Sequence, residues 1–220
     1  MIGAISSRLR LVMRQPGAGG PDASAGSGPE AVPNGEHLPE IEFVAYTSDE
    51  RLSGRIRLDA SRLSDMLNRH DEYVLVDALA ERLPHGGSLL VPEILVRRSE
   101  LPLVHASGPR GDPTLRIPTE PHRIVLRAGR YLVAGRLHSE IGEDPLASLR
   151  ARRPMVPLTY ATIEFRRGGE IVREPTGTIV VNREHVDWVR EGVPLPDGAE
   201  IPWVPARQPP DLVREADSAG

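Results

Sequence analysis

Between residues 39 and 191 the apolar positions fall in short runs with a period of two, the spacing of half-buried strands. IEFVAYT (41–47) and SGRIRL (53–58) flank a polar turn and predict a hairpin. EYVLVDALA (72–80) and SLLVPEILV (88–96) predict two more strands, with Pro92 marking an edge or a bulge in the second. Downstream, HRIVLRA (122–128) and RYLVAGRLH (130–138) surround Gly129. They are followed by MVPLTYATIEFRR (155–167), the turn Gly168-Gly169, EIVRE (170–174) and TIVVN (178–182). Between the second and third strands of each series the spacing turns helical, in SRLSDMLNR (61–69) and DPLASLRARR (144–153). Leu63, Met66 and Leu67 in one, and Leu146 and Leu149 in the other, form a stripe to lay on a sheet. Asp144 followed by Pro145 is the chemistry of a helix start.

The two series are the same text. EILVRRSELPLV (93–104) and TIVVNREHVDWV (178–189) share three aliphatic residues, a polar residue, Arg, two polar residues and spaced apolar positions, 85 residues apart. Gly54-Arg55-Ile56 aligns with Gly135-Arg136-Leu137 at 81. Leu63 and Met66 align with Leu146 and Leu149, and Leu75 and Ala78 with Leu158 and Ala161, at 83. Four blocks in constant order with slowly drifting offsets are the mark of a duplication with loop insertions. The expected architecture is mainly β: two tandem small barrels or half-barrels of SH3 or Sm size, at 39–104 and 122–191, each with one short helix between strands two and three. Residues 105–121 read as an inter-domain linker, and a single interleaved sandwich is the competing arrangement.

The closing strand, tight turn and short strand of each copy, ILVRRSELPLV (94–104) and IVVNREHVDWV (179–189), resembles the closing motif of Sm-like small barrels. Arg98 and Arg183 stand where that family has Gly, and the helix lies after strand two rather than before strand one. These departures keep RNA binding out of what the resemblance implies. The repeat as a whole resembles duplicated small β domains of bacterial proteins, a resemblance that carries no activity with it.

Outside the repeats the composition changes. Residues 15–38 are rich in Gly, Pro, Ala and Ser and read as a disordered linker. The Pro-rich stretch 192–220 reads as a largely disordered tail, with Trp203 a residue that can pack back on the core. Residues 1–14 carry Ile2, Ile5, Leu9, Val12 and Met13 on one helical face and Arg10 and Arg14 opposite, the pattern of a docking peptide or a membrane-surface contact.

All 27 basic residues of the 220 are Arg, none is Lys, and the net charge is −4. Nucleic acid is therefore not the expected partner, and aromatics at 4% are too few for base-stacking platforms. The absence of Cys excludes disulfides, thiolate catalysis and Cys-ligated zinc. No apolar run reaches the roughly 20 residues of a membrane span and no leader pattern opens the chain, which predicts a cytoplasmic protein.

Catalytic groupings are not found. His185 and Asp187 beside Trp188 are the nearest approach to a metal-ligand pair and read as surface residues of a short strand. Asp49-Glu50, Asp71-Glu72 and Glu143-Asp144 sit at turns or a helix start. HASGPRGDP (105–113) lacks the Lys-Ser/Thr of a phosphate loop. LRARRP (149–154) has the close arginines of PilZ-type cyclic-dinucleotide receptors, but the second motif of that family does not follow it.

What remains is charge. Residues 40–104 hold 8 Arg and 12 Asp or Glu, and residues 122–191 hold 12 Arg and 9 Asp or Glu, so the halves carry −4 and +3. Within the second, Arg150, Arg152, Arg153, Arg166, Arg167 and Arg183 are candidates for one basic surface. The expected function is a non-enzymatic binding or scaffold protein without cofactor or metal, engaging a protein partner or itself. The alternative is a regulatory domain that senses an anionic small molecule or RNA.

Overall fold

The computed structural model describes residues 38–192. The docking peptide with Ile2, Ile5, Leu9, Val12 and Met13, most of the expected linker, and the tail with Trp203 lie outside the described residues. The first half runs β1 (Glu40–Tyr46), β2 (Glu50–Arg57), α1 (Leu63–Arg69), β3 (Glu72–Arg82), β4 (Ser88–Arg97), a 3-10 turn at Arg98–Glu100 and β5 (Leu103–His105). The second runs β6 (Thr119–Ala128), β7 (Tyr131–Glu140), α2 (Pro145–Ala151), β8 (Met155–Arg167), β9 (Glu170–Asn182), a 3-10 turn at Arg183–His185 and β10 (Val186–Glu191). Asp144 caps α2 by accepting from the amides of Leu146 and Ala147 at 3.1 and 3.2 Å, as its position after a polar turn implies.

The ten strands form one open antiparallel sheet in the order β10-β6-β7-β8-β9-β5-β1-β2-β3-β4. The order within each half is the same: β5-β1-β2-β3-β4 and β10-β6-β7-β8-β9. Registers recur as well. Phe43 faces Gly54 as Ile124 faces Gly135; Leu52 faces Ala80 as Val133 faces Ile163; Leu75 faces Ile94 as Leu158 faces Ile179. Even the irregularity repeats, a bulge beside Gly54 in one half and beside Gly135 in the other. The bulged residues Asp77 and Tyr160 both take a φ of 48°. At each bulge the Arg after the glycine covers that residue: Arg55 pairs with the Asp77 carboxylate, and the Arg136 guanidinium lies 4.8 Å from the Tyr160 ring centre.

The halves do not hydrogen-bond as two separate units. β5 pairs with β1 on one side and with β9 of the other half on the second, Leu103 opposite Val181 and Val104 opposite Val180. Two large cores lie on opposite faces of the sheet where the halves meet, beside a small third cluster of Val125 and Leu132. Alternation along the strands decides which core each side chain enters. Phe43, Ala45, Val104, Val180 and Met155 enter the first, whereas Tyr46, Leu103, Val181, Ile179 and Val156 enter the second. A strand covered on both faces must be apolar at consecutive positions, which is why ILV and IVV appear as unbroken runs in the repeated phrase.

β9 is one strand where the sequence suggests two, passing through Pro175 and Gly177. Pro175 is tolerated because β5 pairs only with residues 179–181, leaving the far edge of β9 without a partner strand at that point. Pro92 lies on β4, an outer strand of the sheet.

Candidate functional site

The candidate arginines divide between two places. Arg166 and Arg167 end β8, and Arg152 and Arg153 precede its start, so the 13-residue strand separates them by roughly 40 Å of extended chain. Arg166 and Arg167 belong to the junction of the halves. The Arg167 guanidinium meets Glu81 at 3.1 Å, a carboxylate that also receives Arg51 at 2.9 Å. The Arg166 carbonyl accepts from Arg130 at 2.8 Å, and its own guanidinium donates to the Gly169 carbonyl at 3.3 Å. The expected single basic surface is therefore two, and the Arg166–Arg167 end is occupied by partners from the chain itself.

Arg150, Arg152, Arg153 and Arg183 gather at the other end. α2 closes on Arg150 and Ala151, its C-cap Arg152 is extended, and Pro154 disfavours helix at Arg153. The Arg183 amide then donates to the Pro154 carbonyl at 2.8 Å and brings the 3-10 turn alongside. Arg152 spends its guanidinium on the His138 carbonyl. Arg150 and Arg153 are exposed, and Arg183 is half-buried with its Nε buried and unpartnered.

The first half shows what is missing. There Arg98 donates its amide to the Asp71 carbonyl at 2.8 Å, the same backbone bond, and its guanidinium meets the Asp71 carboxylate at 2.6 Å. Asp71 aligns with Pro154 at the helix-to-strand offset of 83, so the second half has the cation without the carboxylate. Such a corner offers planar, forked donors to a carboxylate or phosphate. The signal was present in the sequence as an Asp-for-Pro difference between aligned copies, and it becomes meaningful only when the paired arginine is known.

His185 and Asp187 point apart: the His185 Nε2 lies 2.8 Å from the Ser99 carbonyl, while Asp187 accepts from the Gly129 amide at 3.1 Å. Among the described residues no three His, Asp or Glu side chains are grouped as metal ligands, and no helix is long and apolar enough to cross a membrane.

A partly buried polar chain lies at the junction of the halves, and no residue pattern pointed to it. The Tyr46 hydroxyl donates to Glu174 at 2.8 Å and lies 3.2 Å from His105 Nε2, which is the donor in the neutral tautomer that completes the chain. Burial pulls the His105 pKa down; Glu174 opposes the shift and Arg51 adds to it. A histidine with a depressed folded pKa takes up protons more readily when unfolded, so its contribution to stability is complete above the ordinary value near 6.5 and declines as pH falls below it. Burial, followed by Arg152 and Arg136, depresses His138 in the same direction. Urea midpoints measured between pH 7.5 and roughly 5 are expected to fall with acidification, and less steeply for His105→Gln. Equal slopes for the two proteins would remove His105 from the pH response.

No protein-family model, curated protein or solved structure matches the chain.

Proposed function

We propose that this chain is a non-enzymatic binding or scaffold protein built by duplication of one small barrel-like β domain, and that Arg150, Arg153 and Arg183 receive an acidic segment of a protein partner. The recurrence of strand order, register and bulge supports the duplication. One observation carries the binding role: the buried, unpartnered Nε of Arg183 at the place where the first half neutralises Arg98 with Asp71. An unpaired, partly desolvated guanidinium costs stability unless an anion completes it. After a duplication one copy can retain the internal pair while the other offers the cation outward.

The test uses an acidic peptide, nucleotides and RNA as probes, read by the shift in melting temperature at low and high salt. An acidic peptide should stabilise the protein at low salt, and Arg153→Gln with Arg183→Gln should weaken binding about tenfold or more, the scale of a lost charge-assisted pair. Pro154→Asp restores the carboxylate found in the first half and should quench binding without removing any arginine. Stabilisation by nucleotides or RNA instead of peptide would transfer the site to the sensing alternative. No salt-sensitive response to any probe would end the reading.

A further inference from the structure

We propose that the protein assembles head to tail with further copies of itself, β10 of one molecule adding to β4 of the next. The joint between the halves is the template. It pairs the fifth strand of one unit (β5) with the fourth strand of the other (β9), in antiparallel register. Because the two units share strand order and register, the fifth strand of the second unit and the fourth strand of the first are the counterparts of those partners. These are β10 and β4, and among the described residues they form the two outer edges of the sheet. An edge strand presents unpaired backbone N–H and C=O groups, which a second chain can complete by strand addition.

The template fixes the register. Leu103 opposite Val181 becomes Trp188 opposite Val96, and Val104 opposite Val180 becomes Val189 opposite Leu95. Side-chain exposure fits the vacancy: Leu103 is 0% exposed within its joint, whereas its counterpart Trp188 is 39% exposed. On the other edge the template residues Ile94 and Val96 are 4% and 0% exposed and Leu95 is half-buried, so β4 offers mainly its free backbone edge to the incoming strand. The halves that would meet carry −4 on the β4 side and +3 on the β10 side, while the edge strands themselves are nearly neutral, with Glu93 and Arg97 on β4 and Asp187, Arg190 and Glu191 on β10. The frame also brings Asp187 beside Arg97 and sets Glu191 opposite Glu93, one attraction and one repulsion.

The joint between molecules is weaker than the one inside. Within the chain the Asn68 side chain clamps the Met155 backbone through two hydrogen bonds, at 2.8 and 3.0 Å. The position aligned with Asn68 is Ala151, which can make neither bond. Association is therefore reversible and concentration-dependent. It joins unlike edges, so it does not stop at two: closure gives a ring, and failure to close gives an open chain.

This names a partner for the scaffold reading but stands on the sheet edges and not on the arginine corner. Arg153→Gln with Arg183→Gln is expected to leave it intact, so either can fail alone. Sedimentation of the full chain over a wide concentration range should show species beyond the dimer, and Trp188→Asp, at an exposed site, should return it to monomer with its melting temperature retained. The chain has no native cysteine, so Leu95→Cys combined with Val189→Cys introduces the only thiols. Residues directly opposite in antiparallel strands lie about 4.5–5.5 Å apart at Cα, within disulfide reach. Mild oxidation should give a ladder of covalent trimers and larger species, and the displaced pair Leu90→Cys with Val189→Cys should give none. Should Trp188→Asp fail to fold, the cysteine ladder alone decides. A monomer at every concentration with no ladder, or covalent dimers and nothing larger, overturns the proposal.

Discussion

Tyr46→Ala is expected to lower the unfolding free energy by about 3–5 kcal/mol, the scale for deleting a fully buried aromatic. Its ring is 0% exposed and packs at 5.3 Å from Tyr131 and 5.5 Å from Phe165, both of the second half, although Tyr46 itself belongs to β1. The loss includes the hydrogen bond to Glu174, which leaves a carboxylate short of a partner at the junction. Tyr46→Phe separates the terms: it keeps the ring and should cost about 1 kcal/mol, the net value of one hydrogen bond. Urea denaturation of the three proteins measures both. A change under about 1 kcal/mol for Tyr46→Ala would mean that the ring does not bind the halves together.

The second large effect is a matched pair of glycines. A Cβ added at Gly54 would sit 2.9 Å from the Val76 carbonyl oxygen and 3.2 Å from the Ala78 Cα, both backbone atoms of the bulged strand beside it. At Gly135 the nearest atoms are the side-chain Cβ of Leu158 at 3.1 Å and of Ala161 at 3.3 Å. A Cβ is fixed to its backbone and cannot swing aside in either case, so distance ranks the two: 2.9 Å forces a backbone shift, whereas 3.1 Å asks for a few tenths of an ångström. Gly54→Ala should therefore destabilise by about 2–3 kcal/mol, the upper range for overpacking, and Gly135→Ala by about 1. Both residues have ordinary φ, so the penalty is one of space and not of backbone strain. Thermal or urea unfolding of the two variants side by side gives the ranking, and the reverse order would contradict the bulge geometry.

Much of the fold was legible in the residues. Period-two runs located the strands, Leu63, Met66 and Leu149 marked helical stripes that are buried, and Asp144 capped its helix. Offsets of 81, 83 and 85 between aligned positions coincide with the recurring strand registers. How the halves meet was not legible. Pairing between β5 and β9 depends on only three residues from each strand, and Leu103 and Val104 look the same whether their strand closes its own unit or joins another. The continuous strand through Pro175 was missed for a related reason: a proline in a run reads as a break until the neighbour on its far side is known to be absent.

Of the candidate site, the sequence supplied the arginines and not their company. Nothing local distinguishes Arg167, held by Glu81 from 86 residues away, from Arg183, which has no such partner. Long-range pairing sorts them, and only aligned comparison with Arg98 and Asp71 gives the sorting a meaning.

The exchange of side chains across the junction has a consequence for how the molecule comes apart. Val180 and Met155 wall the first core, while Tyr46, Leu83 and Leu103 wall the second. Melting of either half strips hydrophobic cover from the other, so neither can be lost while its neighbour stays intact. Two interiors thus behave as a single thermodynamic unit, and the connecting loop 106–118 counts for less than the interlocked walls in keeping the halves together.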